Sequence, residues 1–309
     1  MKIAILGATS QIARDLIISF SQYTNYQCIL FSRSPDKVRT WLDGIDSELV
    51  YLSYGYTDFM HGEYDAIINF VGAGDPARIK ETGSLFFDIT YQYDQLAVDY
   101  IRVHPECKYV FLSSGAVYGE VFSQPVDSES VAQVPVNYLN TTNHYAIAKL
   151  YAEARHRALS DYSIIDVRVF NYFSHTQELS SRFLMTDIIR AIREQCVLKV
   201  SSENIVRDFL HPSDFYQLIQ CLLTSCEVNV AVDCYTSEPV DKFTLLEVMK
   251  EEFGLCYEVS SEAGCMVNAT GVKSHYYSLN RRAKELGYSP DYSALGCIQS
   301  ESKLILRQD

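Results

Sequence analysis

Tyr145 and Lys149 stand four residues apart in "NHYAIAKLYAE" (143–153), a stretch that reads as helix. Residues at i and i+4 share a helical face, so a phenol and an ammonium there can meet around one reacting atom. The chemistry open to them is proton transfer. A free phenol titrates near pH 10, and a neighbouring cation favours its ionised form. Spacing alone does not assign that role: with 23 tyrosines and 11 lysines in 309 residues, roughly one pair one helical turn apart arises by chance. The surrounding sequence has to decide.

A second candidate lies at the N-terminus. "ILGATSQIARDLI" (5–17) follows an apolar run and opens a helical pattern. Gly7 permits a tight turn, and the backbone through Thr9, Ser10, Gln11 and Ile12 offers free N–H groups to a dinucleotide phosphate. Ser10 and Ala13 stand where glycines are usual in such turns, so a plain strand-to-helix turn stays open. The next apolar run ends "CILFSRSPDK" (28–37). NAD sites usually place an acid there to hold the ribose hydroxyls, whereas an arginine accommodates the 2′-phosphate of NADP. Ser32 and Arg33 occupy that place. A guanidinium can pair with phosphate and stack on adenine, so NADP is expected over NAD. Asp36 lies beyond Ser34-Pro35 and is assigned to the following helix.

These residues need a scaffold, and bulk composition permits one. The hydrophobic fraction of 48% and charged fraction of 21% are those of a soluble globular chain able to bury a large core. A net charge of −13 argues against nucleic-acid binding, which needs a basic surface. Nine cysteines, odd in number and never in C-x-x-C spacing, imply reduced thiols in the cytoplasm. No apolar run is long enough to cross a membrane, and "MKIAILG" enters a strand at once, leaving no room for a signal peptide.

The first half alternates short apolar runs with helical patterns. Strands are expected at 2–6, 28–32, 49–53, 65–71, 108–114 and 164–170, with helices at 12–22, 84–103 and 143–159. Continuously apolar strand interiors imply a sheet covered on both faces, hence a doubly wound parallel α/β domain over 1–170. After residue 171 the rhythm changes. A smaller, partly interleaved C-terminal substrate domain is expected over 171–309, with an element near 196–230 returning to the main sheet.

Several stretches now agree in order and context: "GATSQIA", "NFVGAG" (69–74), "SSGAVYG" (113–119), "YAIAK" (145–149), "RVFN" (168–171) and "RDFLHPSD" (207–214). Together they resemble the extended short-chain dehydrogenase/reductases, the NAD-dependent epimerase/dehydratase family with its Rossmann domain, from residue 1 to about 290. The resemblance implies that Tyr145 and Lys149 are the catalytic pair. Tyr145 exchanges the proton, while Lys149 tunes it and holds the nicotinamide ribose. Ser114 is implied as the hydroxyl on the same oxygen, with Ser113 the near alternative. Val71 and Gly72 should line the cofactor. On the substrate side the resemblance implies Tyr118 at the sugar, and Asn171 and Arg207 at a diphosphate, with Arg182 a second cation. It also implies a homodimer.

Family members are epimerases, dehydratases and reductases of nucleotide sugars. Dehydratases carry an Asp-Glu pair after the catalytic hydroxyl. Here those places hold Gly115 and Ala116, which cannot carry a proton. Epimerases that recycle NAD usually show the acidic signature that Arg33 replaces. The expectation is therefore an NADPH-dependent reductase of a nucleoside-diphosphate 4-keto-6-deoxy sugar, most like the dTDP-4-dehydro-6-deoxyhexose reductases and serving surface polysaccharide (lipopolysaccharide O-antigen) synthesis. A 4-epimerase holding NAD is the alternative, and a non-catalytic dinucleotide sensor a third class. His175 is a candidate extra acid/base; Cys107 and His144 are read as structural.

Overall fold

The computed structural model describes residues 1–45, 51–72, 82–181, 183–226, 228–260 and 273–307. Its strands are β1 Lys2–Leu6, β2 Gln27–Phe31, β3 Leu52–Tyr54, β4 Ala66–Asn69, β5 Lys108–Ser114, β6 Ile164–Val169, β7 Asn171–Tyr172, β8 Val197–Val200, β9 Val206–Arg207, β10 Phe209–Leu210, β11 Asn229–Asp233, β12 Val240–Asp241, β13 Cys256–Val259 and β14 His275–Tyr276. Its α-helices among the described residues are α1 Gln11–Tyr23, α2 Pro35–Leu42, α3 Leu85–Val103, α4 Thr141–Ala158, α5 Leu184–Arg193, α6 Pro212–Thr224, α7 Lys242–Phe253, α8 Arg282–Glu285 and α9 Ala294–Leu306.

Seven parallel strands form the main sheet in the order β11-β6-β5-β4-β1-β2-β3. The expected runs form it because their side chains are apolar on both faces: Ile3 to Leu6 of β1 are all fully buried. Leu16 and Phe20 of α1 pack with Phe215 and Leu222 of α6 in one core cluster. Ala97 and Ile101 of α3 join Ala152 of α4 in another. The strand order reverses between β1 and β4, which opens a crevice at their carboxyl ends. The returning strand is β11, register Val232 to Val167, while β8 pairs instead with β13 in a separate two-stranded sheet. A further core of Phe173, Ile188, Leu246 and Ile298 underlies the C-terminal elements.

Boundaries move for local reasons. Expected to reach Val71, β4 stops at Asn69, whose Oδ1 accepts the Val71 N–H at 2.9 Å and turns the chain into the crevice. The run expected at 49–53 contributes only Leu52–Tyr54, an edge strand with Leu52 exposed; Leu49 and Val50 lie outside the described residues. Helix α9 did not announce itself, because its buried face carries Glu301 and Ser302 among the apolar residues.

Beneath α4 lies a buried ionic cluster. The His156 Nδ1 meets Asp166 Oδ1 at 2.6 Å and its Nε2 meets Asp94 Oδ1 at 2.7 Å, all three side chains fully buried. Arg155 and Arg157 hold the outer oxygens of Asp94 and Asp166. The Tyr109 hydroxyl donates to Asp94, and Asn69 Nδ2 donates to Tyr109, so the cluster reaches the end of β4. Burial alone would lower the His156 pKa, but Asp166 and Asp94 overcome it and raise the ring to about 9. The stabilisation is therefore complete below the unfolded value of about 6.5 and is lost as pH rises through about 9. His156→Gln should cost about 3 kcal/mol at pH 6, since it removes the cation shared by two buried carboxylates and leaves each with one arginine. Denaturant titrations should show that deficit narrowing above pH 9. An unchanged deficit at pH 10 would remove the imidazolium from this account.

Candidate active site

Helix α4 brings one face against the end of β5. Tyr145, Lys149 and Glu153 recur every four residues on it, so all three meet the sheet. The Ser113 hydroxyl donates to Glu153 at 2.5 Å, and Glu153 also receives Arg168. Ser113 is thereby committed. Ser114, whose Oγ accepts the Ala116 N–H at 3.2 Å and lies 3.4 Å from the Tyr276 hydroxyl, is the serine whose side chain acts on the Tyr145 phenol. Phe86 packs edge-on against the Tyr145 ring at 5.3 Å. Burial raises the Tyr145 phenol above its ordinary value, and the Ser114 hydrogen bond pulls it back only in part. The phenol is thus held protonated at neutral pH, the form that can give a proton away.

Lys149 departs from expectation. Its ammonium donates to the Leu112 carbonyl at 2.8 Å and sits 4.3 Å over the Phe111 ring. Burial lowers it to about 8, against the pull of Asp94, Asp166 and Glu153. In this arrangement Tyr145 answers to burial and to Ser114, not to Lys149. The ammonium instead faces the crevice at Gly72, where an added Cβ would lie 3.5 Å from Nζ.

The residues of the crevice fit a dinucleotide. Gly7 has φ +78°, and a Cβ there would lie 2.9 Å from Phe70 C and Val71 N, so the turn admits no side chain. Gly7 N–H donates to Phe31 O at 3.0 Å and to the Tyr56 hydroxyl at 3.1 Å. Ser10 caps α1 by accepting the Ala13 N–H, with Thr9 exposed beside it. In the first turn Gln11 Nε2 is buried with no hydrogen-bond partner among the described residues, a donor a phosphate oxygen would satisfy; Ile12 follows. Ser32 is buried, its Oγ accepting the Ser34 N–H. Arg33 is exposed and its guanidinium makes no hydrogen bond or ion pair among the described residues. Gly7→Ala should cost about 2 kcal/mol through the left-handed backbone and the clash. Thermal unfolding and an NADPH fluorescence titration should fall together; unimpaired cofactor binding would place the dinucleotide elsewhere.

On the opposite wall, β14 lies beside β9 with Tyr276 in register with Arg207. The Tyr276 hydroxyl lies 3.4 Å from Ser114 Oγ, and Arg207 packs over the Tyr276 ring. Arg207 is lowered to about 10 by burial and donates to the Val206 carbonyl. Lys273, buried between the Phe122 and Tyr276 rings at 4.5 and 4.6 Å, is a second cation there. Neither Tyr276 nor Lys273 was singled out from sequence. The only signal was an apolar–aromatic "HYY" whose partner strand lies about seventy residues earlier.

Other expected substrate residues are placed differently. Asn171 donates through Nδ2 to the Asp208 carbonyl at 3.1 Å. The Tyr118 hydroxyl, expected at the sugar, donates to Asp233 at 2.9 Å and receives Arg168 at 2.8 Å. It is thereby spent inside the protein. Arg182 lies outside the described residues. His175 is bound through Nδ1 and its backbone N–H to Glu301, a hydrogen bond that raises its pKa and leaves it structural. Cys107 is fully buried at the start of β5, and His144 packs on Phe87.

Residues 3–234 match the sequence profile of the NAD dependent epimerase/dehydratase family. No curated protein matches the chain by sequence. Solved structures with the same fold include a dTDP-glucose 4,6-dehydratase from Bacillus anthracis in complex with NAD (TM-score 0.78, 17% identity, 100% of this chain and 97% of that one). A UDP-glucose 4-epimerase from Thermotoga maritima with UDP-glucose superposes with TM-score 0.79 at 15% identity, covering 100% and 99%. A UDP-glucuronic acid 4-epimerase from Bacillus cereus with UDP-glucuronic acid and NAD gives 0.78 at 16%, covering 100% of both.

Proposed function

The chain belongs to the NAD dependent epimerase/dehydratase family, and from that premise we propose that it is an NADPH-dependent reductase of a 4-keto sugar carried on a nucleoside diphosphate. The observation that carries this reading is the convergence of Ser114, Tyr145 and Lys149 at the end of β5, with Ser114 acting on the Tyr145 phenol and the Lys149 ammonium beside Gly72. Gly7, Thr9, Ser10, Gln11 and Ile12 would hold the pyrophosphate, Ser32 and Arg33 the phosphorylated ribose, and Val71, Gly72 and Lys149 the nicotinamide end. When bound, NADPH supplies the hydride.

The chain's own residues do the rest. Ser114 donates a hydrogen bond to the sugar oxygen and orients it. Tyr145, kept neutral by burial, gives that oxygen its proton as negative charge develops there. Arg207 and Lys273 supply local positive charge for the diphosphate against an overall charge of −13. The named relatives were solved with, or act on, dTDP- and UDP-sugars, which supports a nucleotide sugar as substrate class. Gly115 and Ala116 leave no acid/base pair beside Ser114 for dehydration. A 6-deoxy substrate and a role in surface polysaccharide synthesis, by a homodimer, complete the reading.

The complexes with NAD favour one alternative, a 4-epimerase that retains NAD. A screen of dTDP-, UDP-, GDP- and CDP-4-keto sugars with NADPH and NADH, followed by absorbance and product NMR, separates them. Stoichiometric NADPH loss is expected. Inversion of a sugar without net cofactor change would replace this reading with the epimerase, and cofactor binding without turnover would replace it with the sensor.

A further inference from the structure

Tyr276 stands in β14, in register with Arg207 of β9, and is 8% exposed. Side chains alternate along a strand, so Tyr276 turns inward while His275 and Tyr277 beside it stay partly exposed. Its ring is held edge-on by Phe122 at 4.7 Å and by Phe170 at 5.2 Å, and the Lys273 ammonium lies 4.6 Å from its centroid. Gly115 makes that clamp possible. A Cβ at Gly115 would lie 2.4 Å from Phe170 Cδ1, so a larger residue there would displace a ring that braces Tyr276.

The clamp aims the phenol at Ser114. The Tyr276 hydroxyl lies 3.4 Å from Ser114 Oγ and has no other hydrogen-bond contact among the described residues. That separation is long for a hydroxyl pair, and catalytic hydrogen bonds commonly tighten only when substrate enters. Proton counting gives the direction. Burial raises the Tyr276 phenol above its ordinary value, so it stays protonated. A buried O–H needs an acceptor, and Ser114 Oγ is the one within reach among the described residues. A serine hydroxyl has two lone pairs and one proton. One lone pair of Ser114 accepts the Ala116 N–H at 3.2 Å, and the other is open to Tyr276. The single Ser114 proton is then left for the side of the cleft where Tyr145 stands.

We propose that Tyr276 is a positioning residue, which fills the second lone pair of Ser114 and so points the serine's proton at the sugar oxygen. The role rests on the reading of Ser114 and Tyr145 as the pair that meets that oxygen. It is the same for net reduction and for 4-epimerisation, because charge develops on one and the same oxygen in both. Tyr276 transfers nothing: its O–H bond stays intact, and the proton that reaches the sugar is that of Tyr145.

The test is a double-mutant cycle in kcat between Tyr276→Phe and Ser114→Ala, on the substrate that the sugar screen identifies. Tyr276→Phe keeps the ring, so the contacts with Phe122, Phe170 and Lys273 survive. It should lower kcat about tenfold, the worth of one hydrogen bond, with KM and NADPH affinity within about threefold of wild type. Ser114→Ala should cost more. Adding Tyr276→Phe to it should cost less than about twofold further, because no serine is left to orient. Equal losses from Tyr276→Phe in both backgrounds would assign the phenol to packing or to direct contact with the sugar, and would overturn the proposal. Wild-type kcat in Tyr276→Phe, or a loss confined to KM, would do the same. The wild type tests the broader reading separately. A chain that turns over no sugar ends that reading and this role together, whereas turnover indifferent to Tyr276→Phe ends this role alone.

Discussion

Tyr145→Phe is expected to lower kcat by about a hundred- to ten-thousand-fold, the usual worth of a positioned general acid. That is roughly 3–5 kcal/mol of barrier. The change removes one oxygen and keeps the ring, so packing against Phe86 survives and NADPH affinity should move less than about threefold. Ser114 would keep a second partner in the Tyr276 hydroxyl, 3.4 Å away, so the wall of the cleft should not collapse. The loss therefore belongs in kcat with KM nearly unchanged, the signature of an interaction made in the transition state. Steady-state kinetics beside a cofactor titration checks both halves. A variant that turns over within threefold of wild type would remove Tyr145 from the chemistry.

Arg33→Ala carries the second large effect. A guanidinium on a phosphate is worth about 1.5–3 kcal/mol where it makes charge-assisted hydrogen bonds. NADPH affinity should therefore fall about tenfold to a hundredfold, while NADH affinity, which lacks that phosphate, should hardly change. Arg33 is suited to the role because it is exposed at the end of β2 and its charge is not consumed by an acid: Asp36 pairs with Arg39. Equal losses for the two cofactors would mean that Arg33 meets the adenine or nothing specific, and would return the choice to NAD.

The sequence made the sheet legible where strands are buried on both faces. The interiors of β1, β2 and β5 are continuous apolar runs, as a sheet covered on both faces requires. Edge strands such as β3, and helices whose inner face carries polar residues such as α9, lack that signature. In the site, Tyr145, Lys149 and Ser114 were readable because each lies within a short motif on a single element. The division of labour between Ser113 and Ser114 was not, since it depends on Glu153, eight residues along α4, and on Arg168 from β6. Tyr276 and Lys273 were invisible for a related reason: the pairing of β14 with β9 places them, and sequence separation hides pairing. The turning of Lys149 onto Leu112 follows from how closely α4 meets β5, a matter of packing rather than of spacing.

One measurement bears most directly on the central claim. NADPH carrying deuterium on its transferable position is mixed in single turnover with a nucleoside-diphosphate 4-keto-6-deoxy sugar accepted in the screen. The account predicts one NADPH oxidised per sugar, with deuterium at C4 of the product and a rate that collapses in Tyr145→Phe. A sugar inverted at C4 with the added NADPH unconsumed and no deuterium in the product would contradict it.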